Sequence, residues 1–197
     1  MKKPFAESCE ENKAPILEVL KSLFADRCHV LEIGSGTGQH AVHFGAALPH
    51  LRWQTSEMVE NHPGIQAWLD EAGLDNVQPP LALDVSRDDW PQTRFDAAYS
   101  ANTVHIMSWP MVEAMFAGLG RVLLPGGVFA LYGPFHYGGQ ATAESNVRFD
   151  QWLRARDPLS GVRDFDDLNA LAELAGMKCQ EDVAMPANNH ILVWCKG

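Results

Sequence analysis

The chain has 197 residues, 46% of them hydrophobic and 20% charged, with a formal net charge of -10 and a pI of about 5.1. That length and balance fit one soluble domain with a full core, spanning 1–197, and leave little for a second. The acidic total repels phosphate backbones and so argues against nucleic acid as a partner, and no apolar run approaches a membrane span.

Asn12 is expected to cap a first helix, with Pro15 in its first turn and Ile16, Leu17, Leu20 and Leu23 at helical spacing. Residues 29–33 (HVLEI) form a short β-rich apolar run that ends in glycines, the pattern of a buried strand. A helix follows over 37–48, with Ala41, Phe44 and Leu48 on one face and Pro49 as its stop. The alternation continues with a strand at 51–56, a helix at 63–71 closed by Gly73, and strands at 81–85 and 95–100. A helix at 109–122 carries Met111, Met115 and Leu119 at spacing four, and a turn at Pro125-Gly126-Gly127 leads to a strand at 128–132. Helices at 145–156 and 166–175 precede two closing strands, 178–185 and 191–195, joined by Pro186-Ala187-Asn188-Asn189.

Strand–helix alternation of this kind predicts an α/β fold: a doubly wound, mostly parallel sheet with helices on both faces. The last two strands, joined without a helix, must form an antiparallel hairpin. Ligands of such sheets bind outside the carboxyl ends of the strands. Residues 26–135 are therefore the expected binding core, 136–197 the C-terminal helices and hairpin, and 1–25 an N-terminal helix.

The strongest chemical signal is Glu32-Ile33-Gly34-Ser35-Gly36-Thr37-Gly38, a strand, a glycine turn and a helix start in that order. Glycines allow positive φ and close backbone approach, and the helix start offers free N–H groups. A dinucleotide fingerprint would read G-x-G-x-x-G; here Gln39 takes the place of the third glycine. Glu32 ahead of the turn would repel a pyrophosphate but suits a cation. S-adenosylmethionine, with a sulfonium, an ammonium and no phosphate, fits that loop; the competing reading is a turn that needs glycine only for packing. Gly34, Ser35, Gly36 and Gly38 are thus candidate cofactor contacts, together with Glu32.

Glu57, about 20 residues past the loop, has the spacing of a ribose-binding acid, unless it is a surface acid before a helix. Asp84 is placed to accept from an adenine amino group with Val85 packed on the ring, or else to cap the next segment. Cys9, Cys28, Cys179 and Cys195 form no C-x-x-C pair and no zinc spacing, as expected of reduced thiols in a cytoplasmic protein. His40 and His43 lack a third ligand nearby in sequence and are read as packing or surface residues, with no metal expected. Arg148, Arg154, Arg156 and Arg163, interleaved with Asp150, Asp157 and Asp164, are read as a solvated helix face.

The glycine loop with its two acids resembles class I methyltransferases that use S-adenosylmethionine. Five further segments narrow the likeness, over nearly the whole chain, to the family that includes methyltransferase-like protein 26: Asn12–Leu17, Gly34–Ala41, Asn102-Thr103-Val104-His105-Ile106, Tyr132-Gly133-Pro134-Phe135 and Met185–Asn189. The resemblance implies a seven-stranded sheet, S-adenosylmethionine as cofactor with S-adenosylhomocysteine as product, and a lid over the cofactor that includes Asn12 and Lys13. Where the family pattern has Ser-Asp after the second strand, this chain has Ser56-Glu57.

The rim residues follow from the strand ends. Asn102 is expected to bond the amino-acid end of the cofactor. His105 either takes a proton from the methyl acceptor or braces its loop. Trp109 either walls the substrate site or starts the next helix in the core. Tyr132, Phe135, His136 and Tyr137 suit a flat or cationic small molecule. Asn188, with Asn189, either recognises a polar substrate or simply makes the turn. The expected activity is methyl transfer to a small molecule. Its rivals are a binding module that keeps the cofactor without turnover and a nicotinamide-dependent oxidoreductase.

Overall fold

Side-chain alternation along the strands sets the layers, since successive residues of a strand point to opposite faces. In the computed structural model, which describes residues 3–87 and 89–197, β1 (His29–Ile33) sends Leu31 and Ile33 into one apolar cluster and Val30 into another. Glu32 points to the same face as Val30.

Chain order is α1 (Glu7–Leu23), β1, α2 (Gln39–Ala47), β2 (Arg52–Glu57), α3 (His62–Ala72), β3 (Val77–Ala82), β4 (Phe95–Ala101), α4 (Trp109–Val122) and β5 (Leu123–Gly133). There follow β6 (Phe135–Tyr137), β7 (Gln140–Ala141), α5 (Glu144–Arg156), β8 (Arg163–Asp164), α6 (Phe165–Leu174), β9 (Met177–Met185) and β10 (Asn189–Lys196). Seven strands form one sheet in the order β3-β2-β1-β4-β5-β10-β9, parallel from β3 to β5, with β10 antiparallel to both neighbours. This is the predicted mostly parallel sheet closed by a hairpin. One cluster packs α4 and α6 against the sheet, and the other packs α1, α2 and α3. A small sheet, β7-β6-β8, was not foreseen. Among the described residues no helix is long and apolar enough to cross a membrane.

Three expectations need correction. Helix α1 starts at Glu7, so Asn12 is an interior residue, 8% exposed, rather than a cap. Its first turn is anchored from outside the helix. Gln39 Oε1 accepts from Ala6 N (2.7 Å), and Gln39 Nε2 donates to Glu10 (2.8 Å). Strand β3 starts and ends earlier than 81–85, leaving Leu83, Asp84 and Val85 beyond it. It contains Pro79 and Pro80, which the sheet accepts because β3 is an edge strand. The Pro125–Gly127 turn is a bulge within β5: Leu123 pairs with Phe95 and Val128 with Ala97.

Candidate functional site

The carboxyl ends of the parallel strands carry the glycine loop and its neighbours. Gly34 (φ +71°), Gly36 (φ +56°) and Gly38 (φ +90°) are all left-handed, a region that side chains with a Cβ rarely enter. The reasons differ by position. A Cβ on Gly34 would stand 2.6 Å from Thr103 Cγ2, so the loop is pressed against the residue that follows Asn102. A Cβ on Gly36 would meet nothing within 4 Å, so that backbone is open to a ligand. The N–H groups of Gly34 and Ser35 both donate to Ser56 O, at 3.1 and 3.0 Å, which ties the loop to the end of β2.

Glu57, at that end, accepts from Gly36 N at 2.9 Å and from Met58 N at 2.8 Å. Loop and acid therefore belong to one site. Beyond β3, Leu83 N donates to Glu57 O (3.1 Å), which brings Asp84 alongside. Asp84 Oδ1 accepts from Ser86 N (3.0 Å) and Ser86 Oγ (2.6 Å), and these bonds hold its carboxyl below the usual range. Its neighbour Val85, 4% exposed, packs into the core rather than facing the loop.

Glu32 does not stand at the mouth of the strand. It is 2% exposed, and its Oε2 accepts from Ser35 Oγ (2.7 Å) and Trp53 Nε1 (3.1 Å). Burial pushes its pKa up to about 7, partly countered by those two bonds, with the Glu57 charge adding a little. Glu32 thus braces the loop from beneath, through Ser35.

Beside the loop opens a cleft of about 830 Å³. Asn102, His105 and Tyr132 line it from the ends of β4 and β5. Asn102 has φ +58° and donates from its backbone N to Tyr132 O (2.9 Å). His105 is 4% exposed, edge-on to Phe149 at 5.1 Å, and its buried Nδ1 has no hydrogen-bond partner among the described residues. Burial first, and the Arg163 charge second, lower its pKa to about 4, so the imidazole is neutral near pH 7. Helix α1 covers one side of the cleft with Ser8, Glu11, Asn12 and Pro15. Asn12 Oδ1 meets His40 Nε2 at 2.7 Å, while Lys13 turns to Glu10. His40 lies between Asn12 and Tyr99, a packing residue.

Helix α5 supplies a wall the sequence reading missed, with Phe149 and Trp152 stacked at 16° and 5.8 Å. They stand at i and i+3 on a helix whose polar face carries the arginines. The closing turn contributes Pro186, Ala187 and Asn189. Asn188, the predicted contact, instead donates to Ser145 Oγ (3.1 Å). Phe135 is fully buried in the core. Tyr137 lies outside the cleft lining, donating to Asp182 (2.7 Å) and stacked on Phe165. Trp109 packs against the core under the Arg163 guanidinium, 5.9 Å from its ring centre. The arginines are no uniform solvated face: Arg148 pairs with Glu144 and Arg154 with Asp150 along α5, Arg156 covers Trp152, and Arg163 is engaged elsewhere.

Solved structures share this fold. An O-methyltransferase family protein from Burkholderia thailandensis superposes with a TM-score of 0.83 at 12% identity, over 94% of this chain and 56% of that one. Human N-acetylserotonin methyltransferase in complex with S-adenosylmethionine gives 0.80 at 14% identity, over 97% and 53%. An O-methyltransferase family 2 protein from Planctomyces limnophilus, in complex with apigenin, gives 0.83 at 15% identity, over 96% and 58%. The chain spans a little over half the length of each. A family model matches residues 3–196, and the chain belongs to that family, described as a protein of unknown function, DUF938.

Proposed function

We propose that this protein is an S-adenosylmethionine-dependent methyltransferase acting on a small molecule in the cytoplasm, akin to methyltransferase-like protein 26. The observation that carries the reading is the bond from Gly36 N to Glu57 in a loop whose Gly34 is pressed against Thr103, the residue after Asn102, which lines the cleft with His105. It couples a ligand-accessible glycine turn and a carboxylate to a pocket large enough for a second small molecule. The fold neighbours named above are methyltransferases, which agrees with this reading.

Gly36, with its open backbone, would meet the cofactor; Glu57 would accept from the ribose hydroxyls, Asp84 from the adenine amino group, and Asn102 would hold the amino-acid end. The bound cofactor supplies a methyl carbon on a positively charged sulfur. The protein's residues supply position, since holding nucleophile and carbon in line can contribute roughly 7–11 kcal/mol. Helices α1 and α5 line the cleft on two sides. The neutral His105 imidazole, which lines the cleft, would accept the proton of the methyl acceptor. Glu32 works through Ser35 on the shape of the loop.

The test is calorimetric titration with S-adenosylmethionine, S-adenosylhomocysteine and NADH, on the wild type and on Gly36→Asp. Micromolar binding of the two sulfur ligands, lost in the variant, is expected. An aspartate at Gly36 would set a carboxylate in the open space and force a side chain into φ +56°. Folded protein that binds neither sulfur ligand, or that binds NADH more tightly, refutes the proposal.

A further inference from the structure

Four consecutive carbonyls of the loop that carries His105 are held by one short segment. Val104 O accepts from Arg163 Nε (3.0 Å), and His105 O from Gly161 N (2.9 Å). Ile106 O accepts from Ser160 Oγ (3.3 Å), and Met107 O from Arg163 Nη2. The same Nη2 donates to Leu159 O (2.8 Å), closing the segment on itself. Loop carbonyls at a surface usually turn to water. Here a whole turn of them is clasped from one side.

The guanidinium suits this task. Its donors lie in a rigid planar fork, so one side chain bridges two carbonyls of the same loop, which a lysine ammonium cannot do in that geometry. Trp109 lies beneath it. The segment is anchored in turn to α5: Asp150 Oδ1 accepts from Val162 N (2.8 Å), and Asp150 Oδ2 from Arg154 Nε (2.8 Å). One helical turn at 149–153 therefore offers Phe149 and Trp152 to the cleft and holds the clasp.

We propose that Arg163, with Ser160 and Gly161, is the positioning element that fixes the His105 loop against the cleft, and that Asp150 ties this position to α5. The role of the loop in methyl transfer rests on the function proposed above, but the clasp itself can be tested without cofactor or acceptor. The charged or titratable groups that share the surroundings of His105 are Arg163 from the clasp, Tyr132 from β5, Arg156 and Asp157 from the end of α5, and Glu11 from α1.

Two variants separate geometry from charge. Arg163→Met removes both the fork and the charge; Arg163→Lys keeps the charge. The readouts are amide hydrogen exchange at Gly161, the His105 titration followed by NMR, S-adenosylhomocysteine affinity, and the unfolding midpoint. In Arg163→Met, exchange at Gly161 is expected to quicken roughly tenfold or more, and the His105 titration to move up toward its ordinary value. In Arg163→Lys, Gly161 exchange quickens while the His105 titration stays low. Affinity for S-adenosylhomocysteine changes less than about twofold in both. Unchanged Gly161 exchange in either variant overturns the proposal. So does a loss of protection spread evenly over the sheet amides, which would mark Arg163 as a general stability residue. If Arg163→Met does not fold, Gly161 exchange in Arg163→Lys decides. If the wild type binds no S-adenosylhomocysteine, the function proposal fails, while Gly161 exchange and the His105 titration still decide the clasp.

Discussion

Replacing Glu32 by glutamine should stabilise the protein, and more so at alkaline pH. In the unfolded chain the carboxyl titrates near 4.5; in the folded protein burial raises it to about 7. The unfolded chain releases its proton first as pH rises. The contribution of Glu32 to stability is therefore intact below about 4.5 and is lost as pH climbs through about 7. The difference, 7 minus 4.5, at 1.36 kcal/mol per unit, amounts to roughly 3 kcal/mol. Glutamine cannot ionise, and its amide oxygen can accept the same two bonds from Ser35 and Trp53. His40 and His105, both lowered to about 4 by burial, act in the opposite sense as the solution becomes acid. They are present in both proteins and cancel in the comparison. Denaturant unfolding of wild type and Glu32→Gln at pH 5 and pH 8 should show a small gap at the first and one of roughly 3 kcal/mol at the second. For a chain of this size that gap corresponds to roughly 6–12 °C in Tm. A gap that does not change with pH, or that widens toward acid, would refute the assignment of Glu32 as a buried, proton-binding brace.

Two other outcomes follow from the packing and from His105. Gly118→Ala in α4 would normally gain up to about 1 kcal/mol of helix propensity, but an added Cβ would lie 2.0 Å from Trp90 Cε2. Overpacking should win, with a net loss of about 1–3 kcal/mol in denaturant unfolding; S-adenosylmethionine affinity should also fall, because Trp90 donates to Val85 O beside Asp84. Unchanged stability would show that the indole can move at no cost. For His105, with an acceptor found by a labelled-methyl screen, the rate of the wild type should fall only as pH drops toward about 4, where the imidazole protonates. A limb near pH 6.5 that disappears in His105→Gln, or full turnover by His105→Ala, would contradict the proposed proton acceptor.

The parts of the site that are local in sequence were legible. The glycine loop joins strand, turn and helix within ten residues, and each glycine carries its own positive φ. Glu57 ends β2 and Asn102 follows β4, two strands that the strand–helix alternation places in the sequence. What escaped depends on contacts distant in the chain. The start of α1 carries no capping side chain, because Gln39 binds Ala6 from 33 residues away. Strand β3 was displaced by the apolar run Leu81–Val85, whereas the true strand tolerates two prolines only because it lies at the edge. Glu32 looked like a ligand for a cation, yet the neighbours that enclose it, Trp53 and Tyr99, come from β2 and β4. Arg163 looked like one more surface charge between aspartates; its partners on the His105 loop are 56 and 59 residues away.

Strand β10 is synthesised after every other strand of the sheet, yet it lies inside it, between β5 and β9. Until it emerges from the ribosome, β5 presents an unpaired edge running from Val128 to Gly133, with Phe129, Leu131 and Tyr132 along it. An exposed apolar edge of that kind is a template for pairing with another chain. Nascent or truncated forms that stop short of Asn189 should therefore be the ones that need chaperones and that aggregate, and the finished protein should lose that liability in a single late step.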